Sequence, residues 1–254
     1  MMNIFDTHAH YDDRAFDEDR DQLISAIHSK GVSGIINCGC SIKSCQSSLE
    51  LSKKYPFVYF ACGIHPEDCE SFGDISLLKQ SLIPFINDKK CVAVGEIGLD
   101  YHYDIDKPTQ KLFFEEQIKL AMEYDLPVII HDREAHADTL EIVRKYKPKG
   151  VMHCFSGSVE TAKEVLRLGM YIGLGGVVTF KNARKSLEVA ASIPLDRLLL
   201  ETDCPYMAPV PFRGKRCDSS MIAFVAEKIA EERGCTADEI LKATEINAHT
   251  LFSL

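Results

Sequence analysis

Short apolar runs alternate with longer amphipathic stretches along the whole chain. The runs are Ile4 to Thr7, Gly34 to Cys38, Val58 to Gly63, Val92 to Ile97, Pro127 to His131, Gly150 to His153, Met170 to Gly173 and Leu198 to Thr202. They are rich in Val, Ile and Leu and bounded by Gly, Pro or charge, which predicts parallel strands buried on both faces. Helical patterns between them cover Asp19 to Lys30, Gln110 to Tyr124, Ala137 to Tyr146 and Val159 to Leu168. Two more helices are predicted at the end, Ser219 to Arg233 and Thr236 to Phe252, the second opening on Thr236-Ala-Asp-Glu239, a capping-box pattern. About eight strands, mostly followed by helices, predict an α/β fold of the (β/α)8 TIM-barrel type. The competing open, doubly wound sheet loses support because no G-x-G-x-x-G follows the first run. No repeat, low-complexity tract or Pro/Gly/Ser linker marks a boundary, so residues 1–254 read as a single barrel.

Composition narrows the partners. The formal net charge of −9 argues against broad, charge-driven adhesion to nucleic acid or an anionic membrane, while leaving room for a local basic groove beside a metal site. No apolar stretch approaches the roughly 20 residues that span a bilayer. The ten cysteines are scattered, with Cys38 and Cys40 the nearest pair and no C-x-x-C. The stretch from Met1 to His10 is strand-like and has no basic leader region. Together these predict reduced thiols in a cytoplasmic protein with no membrane contact and no obligate protein partner.

The candidate chemistry lies where the runs end. Asp6-Thr7-His8-Ala9-His10 ends the first, Gly95-Glu96-Ile97-Gly98-Leu99-Asp100 the fourth and His131-Asp132-Arg133 the fifth. His153-Cys154-Phe155-Ser156-Gly157 ends the sixth and Glu201-Thr202-Asp203-Cys204-Pro205 the eighth. One His or Asp at a strand end is ordinarily a capped polar residue, and H-x-H alone is a weak signal. Five ends converging on the C-terminal mouth of a barrel, where active sites of this fold are built, point to a metal centre. His8 and His10, two apart on an extended strand, face the same way and can bind one ion together. Glu96 can bridge two ions, and Asp203 can bind metal and orient or deprotonate water. Imidazole and carboxylate donors suit Zn²⁺, Mn²⁺ or Fe²⁺, with Mg²⁺ at a carboxylate-rich position. Two ions roughly 3.5–4 Å apart would hold a hydroxide and stabilise the attacking and leaving oxygens of an ester.

The ordered motifs D-T-H-A-H at 6–10, G-I-H-P at 63–66, G-E-I-G-L-D at 95–100, I-H-D-R at 130–133, H-C-F-S-G at 153–157, E-T-D-C-P-Y at 201–206 and N-A-H-T-L-F at 247–252 resemble the TatD family of metal-dependent deoxyribonucleases over nearly the whole chain. The resemblance implies a barrel hydrolase that cleaves phosphodiesters, with DNA as the usual substrate. It implies His8 and His10 as the first-metal pair, Glu96 as the bridge, His131 and His153 as second-metal ligands, and Asp203 as metal ligand and water activator. It implies that His65 contacts substrate or assists catalysis. One departure concerns substrate: the family often carries R-G-K-x-N-E-P after the last strand, whereas here Arg213-Gly-Lys-Arg216 runs into Cys217-Asp218-Ser219.

Phosphate needs cations, and the candidates for substrate binding are Arg133, just past His131, and Arg213 and Lys215 in the basic loop, with Tyr101 as a surface on which a base stacks. Each has a plainer reading: Arg133 pairing with Asp132 or Glu134, the basic loop solvated, and Tyr101 packed against its neighbour. Lys181, Arg184 and Lys185 read as a helix face. Cys154 and Cys204 read as small buried hydrophobes, because no base is placed to activate either. The expected function is therefore a two-metal deoxyribonuclease acting exonucleolytically on single-stranded or frayed ends. The alternatives are hydrolysis of another ester, such as aminoacyl-tRNA or a small phosphoester, and, less favoured, a non-catalytic metal- or nucleic-acid-binding protein.

Overall fold

The computed structural model describes residues 3–254, so Met1 and Met2 of the N-terminal stretch lie outside the described residues. Eight parallel strands stand in chain order: β1 (Ile4–Ala9), β2 (Val32–Cys38), β3 (Val58–Cys62), β4 (Cys91–Asp100), β5 (Val128–Arg133), β6 (Gly150–Met152), β7 (Tyr171–Leu174) and β8 (Leu198–Leu200). Each pairs with the next, and just beyond β8 the chain returns to β1. There Ala9 bridges Cys204, the His10 N–H donates to the Cys204 carbonyl at 2.9 Å, and the Asp203 N–H donates to the His8 carbonyl at 2.9 Å. The result is the predicted eight-stranded barrel.

Two sets of buried side chains explain why the strands are apolar on both faces. The smaller set takes at least one residue from every strand, among them Phe5, Ile36, Ala61, Ile129, Tyr171 and Leu199, together with Leu251 and Phe252 from the last helix. It fills the barrel, and the last helix closes the lower end. The larger set, including Ile35, Phe60, Val94, Ile130 and Leu200, packs the outer face of the strands against the helices. That last helix, Ala237–Phe252, begins with the expected capping box: Thr236 Oγ1 accepts the Glu239 N–H at 3.3 Å and Glu239 Oε2 accepts the Thr236 N–H at 2.8 Å. Among the described residues no helix is long and apolar enough to cross a membrane.

The strands differ from their apolar runs mostly at the upper ends. β1 continues to Ala9 and β4 to Asp100, which puts His8, Glu96 and Asp100 on strand, whereas His10, His153 and Asp203 lie in the segments that follow β1, β6 and β8. Four helices fall between the predicted ones, Ile42–Lys54, the single turn Cys69–Phe72, Leu78–Ile86 and Arg184–Ser192, the last carrying Arg184 and Lys185.

Candidate active site

The upper mouth is organised by Glu96, which is buried at the end of β4 with its two oxygens facing different imidazoles. Oε2 lies 3.2 Å from His8 Nε2 and 3.5 Å from His10 Nε2. Oε1 lies 2.8 Å from His131 Nδ1, 3.0 Å from His153 Nε2 and 3.5 Å from His65 Nε2. Asp203 completes the first group, its Oδ1 3.3 Å from His10 Nε2 and 3.6 Å from His8 Nε2. Asp203 (φ 61°) and Cys154 (φ 44°), at the rim of the mouth, both hold left-handed backbone, a conformation that surrounding structure must impose on non-glycine residues.

The free nitrogens of the imidazoles are held from behind. His10 Nδ1 meets the Cys38 carbonyl at 3.0 Å, and His8 Nδ1 lies 3.4 Å from Cys38 Sγ. His131 Nε2 meets Asp100 Oδ2 at 2.9 Å, and His153 Nδ1 lies 3.4 Å from Glu201 Oε1, which also accepts the Cys154 N–H. Partners of this kind fix the ring and turn its other nitrogen to a cation. His8 and His10 accordingly point Nε2 atoms at one another only 2.9 Å apart, a repulsive arrangement for two lone pairs that a shared ion or proton resolves. The donor set therefore fits divalent metal: four overlapping trios (His8, Glu96 and His153; His8, His10 and Asp203; His10, Cys40 and Glu96; His65, Glu96 and His131) each bring three donor atoms within 4.8 Å of one another. His65 is different. Its Nδ1 accepts the Glu67 N–H at 3.2 Å, so in the neutral ring the proton sits on Nε2 and faces the site as a donor.

The charges agree with that arrangement. Burial alone would raise the Glu96 carboxyl, but His153, His8, His65 and His131 outweigh it and hold it well below the usual carboxylate range. Burial opposes protonation of His10 and His131 as well, yet Asp203 and Glu96 push the first up to about 9, and Asp100 and Glu96 do the same for the second. A cation and protons compete for the same lone pairs. Burial pushes the Cys154 thiol up to about 12 and the Cys204 thiol well above its ordinary value, so neither is a nucleophile.

Backbone geometry makes the room. Gly98 has φ 145° and sits between Glu96 and Asp100 on β4, where a Cβ would overlap the His131 carbonyl oxygen. At Gly173 a Cβ would overlap the Glu201 carboxylate that stands behind His153. Beneath the site, Asp6 is fully buried and accepts four bonds: the His8 and Thr202 N–H groups at 3.2 and 3.1 Å, and the Thr202 and Ser219 hydroxyls at 2.6 and 2.7 Å. Burial still pushes its carboxyl up to about 7. Asp6→Ala orphans four buried donors and is expected to cost about 3 kcal/mol or more in denaturant unfolding. A loss under about 1 kcal/mol would mean that other acceptors replace the carboxylate.

The predicted substrate contacts divide. Arg133 lines the cavity over the cluster, its guanidinium 5.4 Å from the ring centre of Tyr103 rather than bonded to Asp132 or Glu134. Tyr101 does not line it: its hydroxyl donates to Asp138 at 2.6 Å and its ring lies 4.2 Å from Lys107 Nζ, so Tyr103, two residues on, takes the place expected of it. Arg213 and Lys215 also stay out. Arg213 stacks on Phe180 at 3.8 Å, Lys215 lies 5.7 Å from the Phe212 ring, and Arg216 pairs with Asp19 at 2.6 Å, which folds the basic loop onto the protein. Asp100, Glu201 and Cys38 were not singled out from the sequence. The available signal for Asp100 was its even spacing from Glu96 on one strand, which puts both on one face.

Fold and site together define a metal-dependent hydrolase built on a barrel. The family model described as TatD related DNase matches residues 5–253. The chain is 42% identical to the uncharacterized metal-dependent hydrolase YabD of Bacillus subtilis, covering 99% of each. It is 33% identical to the 3'-5' ssDNA/RNA exonuclease TatD of Cronobacter sakazakii, covering 98% of this chain and 97% of that one. The crystal structure of YjjV, a TatD homologue from Escherichia coli K12, superposes with a TM-score of 0.90 at 34% identity, covering 100% and 99%. The chain belongs to the TatD family of metal-dependent hydrolases.

Proposed function

We propose that the protein is a two-metal nuclease that shortens single-stranded DNA or RNA from its ends. The observation that carries this reading is Glu96, whose two oxygens serve two imidazole groups at once. In this assignment His8, His10, Glu96 and Asp203 would hold one ion, and Glu96, His131 and His153 would hold the other. The nitrogen-rich donor set favours Zn²⁺ or Mn²⁺ over Mg²⁺. When bound, the ions supply Lewis-acid chemistry, drawing charge from the ester oxygens and making water more acidic.

The chain's own groups do the rest. Asp203 accepts the proton of the attacking water, His65 donates from Nε2 to a phosphoryl oxygen, and Arg133 neutralises the phosphate. Arg133 is the one Lys or Arg lining the cavity among the described residues, whereas Asp12, Asp13, Glu67 and Asp68 all border it. Those carboxylates repel further backbone phosphates, which restricts the grip to a strand end. Affinity for single strands is then expected to fall with log salt at a slope of about −0.7, that of one neutralised phosphate. A slope several times steeper would mean an extended backbone track.

The deciding experiment incubates end-labelled single-stranded DNA and RNA with protein loaded separately with Mg²⁺, Mn²⁺ or Zn²⁺. Metal-dependent loss of single nucleotides from one end is expected, and the label pattern gives the polarity. No cleavage by protein that retains its ions would remove the nuclease reading and turn attention to aminoacyl-tRNA and small phosphoesters.

A further inference from the structure

Two cavities meet at the Glu96 cluster, and their chemistry differs. The first, about 550 Å³, is bordered by the acidic residues described above. The second, about 400 Å³, lies among the segments that follow β5, β6 and β7 and is walled by Phe155, Leu174, Val177, Val178 and Met207. His131, Arg133, His153 and Asp203 line both, so a ligand whose ester rests on the cluster reaches into either one.

The second cavity is a poor place for phosphate. Arg133, at its junction with the first, is its one Lys or Arg among the described residues. An apolar slot of this size suits a flat ring tethered to the reacting group by a short polar linker. Ser186 adds a polar point. It is more than nine-tenths buried and it lines this cavity. A hydroxyl both donates and accepts, so it can meet the edge of any base without selecting one. A nucleotide has the required build: ring, sugar, then phosphate. A sugar phosphate or a bare backbone phosphate leaves the slot unfilled.

The geometry points to the second cavity as the pocket for the base of the terminal nucleotide, with that nucleotide's phosphate on the cluster beside Arg133. This rests on the strand-end nuclease reading and adds a substrate class to it: the enzyme requires a base at the end it trims, whichever base that is. Phe155 supplies an aromatic wall, and stacking of this kind is sequence-tolerant because every base has a π-face.

The test reads binding, not cleavage. Thymidine 5'-monophosphate and 2-deoxyribose 5-phosphate, in which an anomeric hydroxyl replaces the base, are titrated calorimetrically into the Mn²⁺-loaded protein. The nucleotide is expected to bind about tenfold more tightly or better. Val177→Trp fills the slot from a half-buried position and is expected to bring the two probes within about twofold, leaving deoxyribose phosphate affinity and metal content unchanged. Ser186→Met, a smaller intrusion, should reduce the preference in the same direction and stands in if the Trp variant does not fold. Equal affinity of both probes for the wild type, or a preference that survives in a folded Val177→Trp protein, overturns the pocket. If single strands are not cut but the preference is present and lost in the variants, the pocket stands and the proposed reaction falls. If strands are cut and no preference exists, the reaction stands and the pocket falls.

Discussion

Asn in place of Asp203 is expected to slow strand-end cleavage by about 10²–10⁴-fold while leaving the fold intact. The side chain is about one-fifth exposed, against none for His8, so it is the carboxylate of the first group that an attacking water reaches. Its backbone sits at φ 61°, and Asn tolerates left-handed backbone as well as Asp does. The substitution therefore removes a charge and a proton acceptor without adding strain, and the loss of rate reports chemistry rather than misfolding. Single-turnover rates on labelled single strands, with metal content measured on the same preparations, provide the check. A variant that keeps its ions and cuts within threefold of wild type would move the proton acceptor elsewhere.

Glu96→Gln is expected to be more severe, because in the proposed assignment one residue serves both ions. With free Mn²⁺ at 100–1,000 times its dissociation constant, wild-type stability should rise over chelator-treated protein by about 3–4 kcal/mol for each ion bound. In Glu96→Gln most of that increment should vanish and activity should fall below detection. The amide keeps the shape but withdraws the charge that faces His8 and His10 through one oxygen and His131 and His153 through the other. His131→Ala should by contrast forfeit one ion and keep the other. Denaturant unfolding with and without chelator separates these outcomes. A full metal increment in Glu96→Gln would show that the two groups do not share the carboxylate.

The barrel was legible because its strands are apolar on both faces, a pattern that survives without knowledge of what packs against them. Helix Ile42–Lys54 was not, since its buried face includes Ser48 and Ser52 beside Cys45 and Leu49, and small polar residues hide the helical period. At the mouth, the convergence of His8, His10, Glu96, His131, His153 and Asp203 followed from strand ends alone. What stands behind them did not. Whether a strand-end acid such as Asp100 or Glu201 faces the site or the helices depends on register, and β4 shifts register between Val94 and Ile97. The substrate side was least readable: Tyr101 and Tyr103 are equivalent on paper, and only the pairing of Tyr101 with Asp138 decides between them.

The place where the barrel closes has a consequence for how the enzyme is made. His8 and His10 come from β1 and Asp203 from just beyond β8, so in the proposed assignment one ion rivets the beginning of the chain to a segment synthesised near its end. A nascent or truncated polypeptide that has passed His153 already carries Glu96, His131 and His153, but it cannot assemble the other set. In that assignment the ion is a clasp on the ring as well as part of the site, and a polypeptide cut before Asp203 lacks one of its ligands.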